Sequence, residues 1–349
     1  MIKVLVVDDS AFMRKMLADM LDSHEQIEVI AKARNGQQAL EKVVSFKPDV
    51  VTMDVEMPVM SGIDALKNIM ANHPVPVIMV SSVTKDGANT TFEAMSYGAV
   101  DFIAKPSGAM SLKMQTVQAD LIAKVLAAAS VEMPKLTDQK IFSSVVQPNH
   151  ENKYPIPNGP DVTVAAIGTS TGGPKALHHL LTALPAEFPC PILIVQHMPE
   201  GFTKSLAERL NARANITVKE AENGERLKKG VAYLCPGGYH LKVKELGTSV
   251  GVLLDQSDPV NGHRPSVDSM LLSLASSSIS RVIAVIMTGM GADGKKGLIE
   301  LKHCKTTAAI AESEKTSVVY GMPKAARETG LVDEVVDLHD IAEVLLKYS

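Results

Sequence analysis

Apolar and polar positions divide the chain into two successive series of strands and helices. Over residues 1–129 the runs IKVLVV, IEVIAKA, DVVTM, VPVIMVS and VDFIA are short and rich in valine and isoleucine. Between them AFMRKMLADML, GQQALEKVV, GIDALKNIMA, FEAMSYG and MSLKMQTVQADLIAKVLAAA carry apolar residues at helical spacing. Five strand–helix units in this order predict an α/β domain with a doubly wound, flavodoxin-like parallel sheet. Residues 130–160 change character: Pro134, Pro148, Pro155, Pro157 and Pro160 punctuate a polar stretch with Asn149, His150, Asn152 and Asn158, the composition of a linker. From residue 161 a second series opens, with VTVAAIG, PILIVQH, VAYLC, VGVLLD, RVIAVIMTG and TAAIAE as strands and KALHHLLTAL and VDSMLLSLA as helices. It predicts a second, Rossmann-like α/β domain over residues 161–349, with antiparallel strands expected over residues 231–254. No repeat relates the two series.

Composition narrows the function classes. A chain of 349 residues, 46% apolar and 21% charged, suits two ordinary cores better than one. Its formal charge is −4, and no cluster of Lys and Arg with interleaved aromatics appears, so no nucleic-acid partner is expected. The N-terminal run enters paired aspartates without the length or cleavage site of a signal peptide, and no apolar run approaches a membrane span. Cys190, Cys235 and Cys304 are odd in number and widely spaced, which fits reduced structural thiols. A cytoplasmic protein is expected, reaching a membrane only through a partner.

Ligands of open parallel sheets bind outside the carboxyl ends of the strands. In the first series those ends carry Asp8 and Asp9, Asp54, Ser81 and Lys105. Carboxylates that converge repel unless a hard cation holds them, and Mg²⁺ suits such a set. Asp54 could then attack a phosphoryl donor, with Lys105 and Ser81 engaging the phosphoryl oxygens.

In the second series, Val162 to Ile167 leads into Gly168-Thr169-Ser170-Thr171-Gly172-Gly173-Pro174 and then a helical pattern. The spacing Gly168-x-Ser170-x-Gly172 fits a nucleophile elbow, and equally a phosphate or dinucleotide loop or a helix cap. Two further strand ends carry His197 and, in a Gly-rich loop, Asp293. Serine needs an imidazole to take its proton, and the imidazole needs a carboxylate to fix its tautomer, so these three types at three strand ends point to nucleophilic hydrolysis. His178 and His179 fall in a helix, while His240 and His263 lie in loops and remain further candidates for the base. The order Ser, His, Asp departs from that of ordinary α/β-hydrolases.

Two resemblances extend these readings. The segments VVDDS, TMDVEMPVMSGIDAL, PVIMVSS and GAVDFIAKP resemble the response-regulator receiver domain over residues 1–129. That resemblance implies Asp54 as the phospho-acceptor, Asp8, Asp9 and Asp54 as the Mg²⁺ site, Ser81 and Lys105 as phosphate partners, and Phe102 as the aromatic switch position. The family more often has threonine at Ser81 and tyrosine at Phe102. The segments IGTSTGGP, QHMPEGFT, CPGGYH, GHRPSVD, MTGMGADG and VVYGMPKAA look like the catalytic domain of the chemotaxis protein-glutamate methylesterases. By that likeness Ser170 is the nucleophile, His197 the base and Asp293 the orienting carboxylate. Met290 would lend a backbone N–H to the oxyanion, and Thr171 would help position His197. The implied activity is demethylation of receptor glutamate esters, with deamidation of glutamines as a second activity and no cofactor for either. The implied partners are methyl-accepting chemotaxis receptors and a sensor histidine kinase. The same likeness implies that the unphosphorylated receiver obstructs the hydrolytic cleft.

Other classes explain less. A non-catalytic output domain with a phosphate- or protein-binding loop leaves His197 and Asp293 without a role. A dinucleotide-dependent oxidoreductase would show GxGxxG where the chain has GTSTGG. A transcriptional output would need a helix-turn-helix and a basic face.

Overall fold

Buried strands without polar alternation require both faces of a sheet to be covered, and the N-terminal series does this with helices on either side. A computed structural model describes residues 1–105, 111–131, 133 and 163–349. The expected linker over residues 130–160 lies, from Pro134 onward, outside the described residues. The chain falls into two units, Met1–Asp138 and Gln139–Ser349.

In the first unit β1 (Ile2–Val7), β2 (Ile27–Ala33), β3 (Val50–Asp54), β4 (Val77–Ser81) and β5 (Asp101–Ala104) form one sheet in the order β2-β1-β3-β4-β5. All its pairings are parallel. Every residue of β3 and β4 is buried, which accounts for their mostly apolar sequence; the polar exceptions are Thr52 within β3 and Asp54 and Ser81 at the strand ends. The helices are α1 (Ala11–Asp22), α2 (Gly36–Phe46), α3 (Gly62–Asn72), α4 (Lys85–Ser96) and α5 (Ser111–Ala129). Ser10, Asn35, Ser61 and Thr84 cap the first four, each side chain accepting a backbone N–H of the first turn. The cap at Thr84 corrects the sequence reading of α4, whose periodic part FEAMSYG starts only at Phe92. Gly87, Asn89, Thr90 and Thr91 are weak helix formers, and the Thr84 cap together with packing starts the helix there regardless. The winding reverses between β1 and β3, which sets their carboxyl ends side by side.

The second unit has a seven-stranded sheet. Its strands are β6 (Thr163–Thr169), β7 (Ile192–Gln196), β8 (Thr217–Glu220), β9 (Val231–Leu234), β12 (Arg281–Ile286), β13 (Thr306–Glu312) and β14 (Glu334–Val336), in the order β14-β13-β12-β6-β7-β9-β8. All neighbours are parallel. Around it stand α6 (Gly173–Ala183), α7 (Thr203–Asn211), α8 (Val267–Ala275), α9 (Lys295–Cys304), α10 (Met322–Arg327) and α11 (Ile341–Tyr348). The expectation of some antiparallel strands around residues 231–254 is met by β10 (His240–Leu246) and β11 (Ser249–Asp255), which pair antiparallel as a hairpin turning at Gly247 with φ 66°, while β9 in the same stretch is a parallel member of the main sheet, between β7 and β8. Leu241, Val243, Val250 and Val252 of that hairpin share one core with Met270, Leu271 and Leu274 of α8.

Here the winding reverses between β6 and β12. Gly168 lets α8 approach this point, since a Cβ there would lie 2.5 Å from Val267 Cγ1. Cys190 and Cys235 are buried and Cys304 exposed, all three unpaired; burial pushes the Cys190 thiol up to about 12.

Candidate functional site

The carboxyl ends of β1, β3 and β5 bring together the first expected constellation. Lys105 Nζ donates to Asp54 Oδ2 at 2.7 Å and stands 3.5 Å from Asp8 Oδ2. Asp8, Asp9 and Asp54 each offer a carboxylate oxygen within 4.8 Å of the others. Burial raises the Asp54 carboxyl to about 6 despite the hydrogen bond and charge of Lys105, and burial likewise raises Asp8. Among the described residues, buried Asp8 Oδ2 has no hydrogen-bond partner, only the Lys105 ammonium at 3.5 Å. A carboxylate cluster so poor in donors fits a divalent cation, which Asp8, Asp9 and Asp54 could hold. Ser81 lines the small cavity beside Asp54 with Val55, Glu56 and Lys105, but its hydroxyl donates to the Gly87 carbonyl at 3.1 Å rather than to Asp54. The Phe102 ring is buried, edge-on to Phe92 with centroids 6.3 Å apart.

The second constellation forms at the ends of β6, β7 and β12. Asp293 Oδ2 lies 2.7 Å from His197 Nε2. The same carboxylate sits on the first turn of α8: Val267 N donates to Oδ2 at 2.6 Å, and Asp268 N to Oδ1 at 3.1 Å. The Ser266 hydroxyl and the Asn261 amide add bonds to Oδ1 at 2.9 and 3.0 Å. Burial opposes ionisation of Asp293, yet the hydrogen bond and charge of His197 and the N–H groups of Val267 and Asp268 hold it well below the usual carboxylate range. The anionic form is thereby favoured. With Asp293 ionised, His197 Nε2 carries the proton that it accepts, and the other ring nitrogen, Nδ1, is buried with no hydrogen-bond partner among the described residues.

Ser170 follows β6 and is stitched to the loop after β12. Its N–H donates to the Thr288 carbonyl at 3.0 Å, and the Thr288 hydroxyl donates to the carbonyl of the buried Thr171 at 2.9 Å. Only glycine at 289 permits this approach, because a Cβ there would lie 2.7 Å from Ser170 Cβ. That contact carries Met290 to the nucleophile turn, and its N–H makes no hydrogen bond among the described residues. The buried Glu312 holds the loop from beneath, its carboxylate accepting Thr288 N at 2.8 Å. The ring of His240 is buried with Nε2 on the Asp258 carbonyl at 3.1 Å.

Sequence reasoning passed over several participants. Gln196, the last residue of β7, is buried, and its Nε2 donates to the carbonyls of both Ser170 and His197, at 3.0 and 3.1 Å. Two carbonyl partners fix which end of the amide is nitrogen. Gly173 makes room for it, since a Cβ there would lie 1.9 Å from Gln196 Oε1. Asn261 and Ser266 grip Asp293, and the His263 ring, which the sequence offered only as a further candidate for the base, stacks on that of His197 with centroids 3.9 Å apart. In the sequence this loop is marked by the pair Asn261-Gly262, a hairpin-turn signature, and by the segment GHRPSVD.

Comparison with known proteins places each of the two units in a family. The family model described as CheB methylesterase matches residues 165–345, and that described as response regulator receiver domain matches residues 4–116. A protein of Geobacillus kaustophilus named protein-glutamate methylesterase/protein-glutamine glutaminase is 53% identical over 346 residues, covering 99% of this chain and 98% of its own. A Bacillus subtilis protein of the same name is 46% identical over 348 residues, covering 98% and 97%. Among solved structures, the catalytic domain of Thermotoga maritima CheB methylesterase superposes with a TM-score of 0.53 at 46% identity, over 54% of this chain and 100% of that one. The chain belongs to the family of protein-glutamate methylesterases/protein-glutamine glutaminases, in which a response-regulator receiver precedes a CheB methylesterase domain.

Proposed function

We propose that residues 161–349 hydrolyse methyl esters of glutamate side chains on chemotaxis receptors, under control of a receiver over residues 1–129. Ser170 Oγ attacks the ester carbonyl while its proton passes to His197 Nδ1. Asp293 accepts the Nε2–H and stabilises the imidazolium. The Met290 N–H meets the oxyanion, and Thr171 holds the turn. His197 then gives the proton to the methoxide oxygen, which leaves as methanol; water, deprotonated by the same nitrogen, attacks the acyl-enzyme, and the proton returns to Ser170 Oγ as glutamate is released. A side-chain amide in the ester's place releases ammonia by the same steps. The single observation that carries this reading is the contact of Asp293 Oδ2 with His197 Nε2 at 2.7 Å, which leaves Nδ1, without a hydrogen-bond partner among the described residues, to act as base.

Asp54 is the phospho-acceptor in this reading, and a sensor kinase of the chemotaxis pathway the donor. Asp8, Asp9 and Asp54 would hold Mg²⁺, which neutralises phosphoryl charge when bound. Lys105 balances the acids meanwhile, Ser81 reaches the phosphoryl group by turning its hydroxyl from Gly87, and Phe102 registers the change. Among the described residues no helix is long and apolar enough to cross a membrane. A cytoplasmic enzyme meeting its receptors at the membrane face fits that finding.

The test is methanol release from methylated receptor membranes, with a small-molecule phosphodonor and Mg²⁺. Wild type releases methanol and a folded Ser170→Ala variant does not; turnover by that variant removes Ser170 as nucleophile.

A further inference from the structure

The hydrogen bond between His197 Nε2 and Asp293 Oδ2 fixes one edge of the imidazole but not its plane, because the ring can still turn about the axis of that bond. Proton transfer through Nδ1 depends on the plane. The structure supplies a second constraint, in the ring of His263. It lies on the face of His197 at a centroid distance of 3.9 Å and an interplanar angle of 12°.

His263 is itself firmly placed. Val260 and His263 exchange two backbone hydrogen bonds, of 3.0 and 2.9 Å, across the pair Asn261-Gly262. With φ of 54° and 80° that pair forms a tight turn of the type that favours Asn-Gly. The Asn261 amide ties the turn to Asp268 at 2.8 Å and to Asp293 at 3.0 Å. On the far side Arg264 Nη1 donates to the carbonyls of Gln256 and Ser257, and the Arg264 carbonyl accepts Gly238 N. One turn thus delivers an amide to the orienting carboxylate and an aromatic face to the ring that the carboxylate orients.

We propose that His263 is a positioning residue of the hydrolase, whose stacked ring fixes the plane of His197 so that Nδ1 stays presented to the Ser170 hydroxyl. The inference rests on the reading of His197 as the base. A ring left free to turn spends part of its time with Nδ1 displaced, and misplacement on the ångström scale costs up to about a hundredfold in rate.

The test uses the full chain, activated with phosphodonor and Mg²⁺, on methylated receptor membranes, comparing wild type, His263→Ala, His263→Phe and His197→Ala. The expected result is a fall in kcat of about ten- to a hundredfold in His263→Ala with KM within about twofold, and recovery of most of that loss in His263→Phe, which restores a stacked face. Should His263→Ala prove unstable by thermal melting, the His263→Phe variant carries the test by retaining near-wild-type kcat. An unchanged kcat in His263→Ala, a change confined to KM, or a His263→Phe variant as slow as His263→Ala overturns the proposal. His197→Ala separates the two levels: if it turns over normally the underlying reading of the base has failed, whereas if it is inactive and His263→Ala is not impaired, only the present inference has.

Discussion

Asp54 and Asp293 occupy equivalent places in the two units and behave in opposite ways. Asp54 ends β3 and Asp293 lies in the loop after β12, each strand bordering the point where winding reverses in its sheet, and they are 2% and 3% exposed. Burial pushes both towards the neutral acid. What separates them is the supply of donors. Asp54 receives Lys105 Nζ at 2.7 Å and a long contact of 3.4 Å from Glu56 N, and its carboxyl rises to about 6. Asp293 receives five donors, from His197, Ser266, Asn261 and the first turn of α8, and its carboxyl falls far below the usual range. A strand end therefore makes a site, and the number of donors decides its chemistry. Few donors leave a carboxylate that gains from a cation or a phosphoryl group; many leave a fixed anion able to hold an imidazole.

The largest expected effect breaks the hydrolytic side of this comparison. His197→Ala and Asp293→Ala each lower methanol release by about 10⁴-fold or more, measured on folded protein with phosphodonor present. Next is the receiver: removing residues 1–150 raises the phosphodonor-free rate by about ten- to a hundredfold, while Asp54→Asn abolishes the response to phosphodonor. Equal rates for the truncated and unphosphorylated whole chains would exclude restraint by the receiver.

Stability sharpens the contrast, and the two substitutions to asparagine have opposite signs. Asp54 has a folded value of about 6 against 3.8, so its favourable contribution is complete below the unfolded value and lost as pH rises through about 6. Asp54→Asn accordingly stabilises the metal-free receiver at pH 7, by up to about 3 kcal/mol, and the gain vanishes near pH 4. Asp293 is depressed, so its contribution is present above 3.8 and lost as pH falls below it. Asp293→Asn therefore costs about 2–3 kcal/mol at neutral pH, since an amide group must face one set of its donors. Thermal melting in EDTA at pH 7 and near pH 4 reads both signs. The smallest effect is that of Gln196→Leu, which strips the donor from the Ser170 and His197 carbonyls and lowers kcat about tenfold at little changed KM.

The architecture was largely legible because fully buried parallel strands such as Val77–Ser81 leave uninterrupted apolar runs, and ligand sites follow from where those runs end. Asp8, Asp54, Ser170, His197 and Asp293 could all be picked out on that ground. Short or compositionally mixed elements were not. Val231–Leu234 has only four residues, too few to show whether its neighbours run parallel. The start of α4 was hidden by glycine and threonine in its first turns. The orientation of His197 was also out of reach, since which nitrogen meets Asp293 depends on contacts between segments 96 residues apart. Gln196 and Asn261 look like any polar residues at a strand end and a turn; their roles arise only when β6, β7 and α8 are packed together. Ser81 shows the converse, a residue correctly placed at its strand end whose hydroxyl is turned to Gly87.

The comparison of the two aspartates is most directly tested by ¹³C NMR titration of side-chain carboxyl carbons in metal-free protein labelled at aspartate, with the resonances assigned through Asp54→Asn and Asp293→Asn. The account predicts that Asp54 titrates near pH 6 and that added Mg²⁺ abolishes this step, while Asp293 shows no titration down to the acid limit of folding. Titration of both carboxyls together in the ordinary range of about 3.5–4.5 would contradict it.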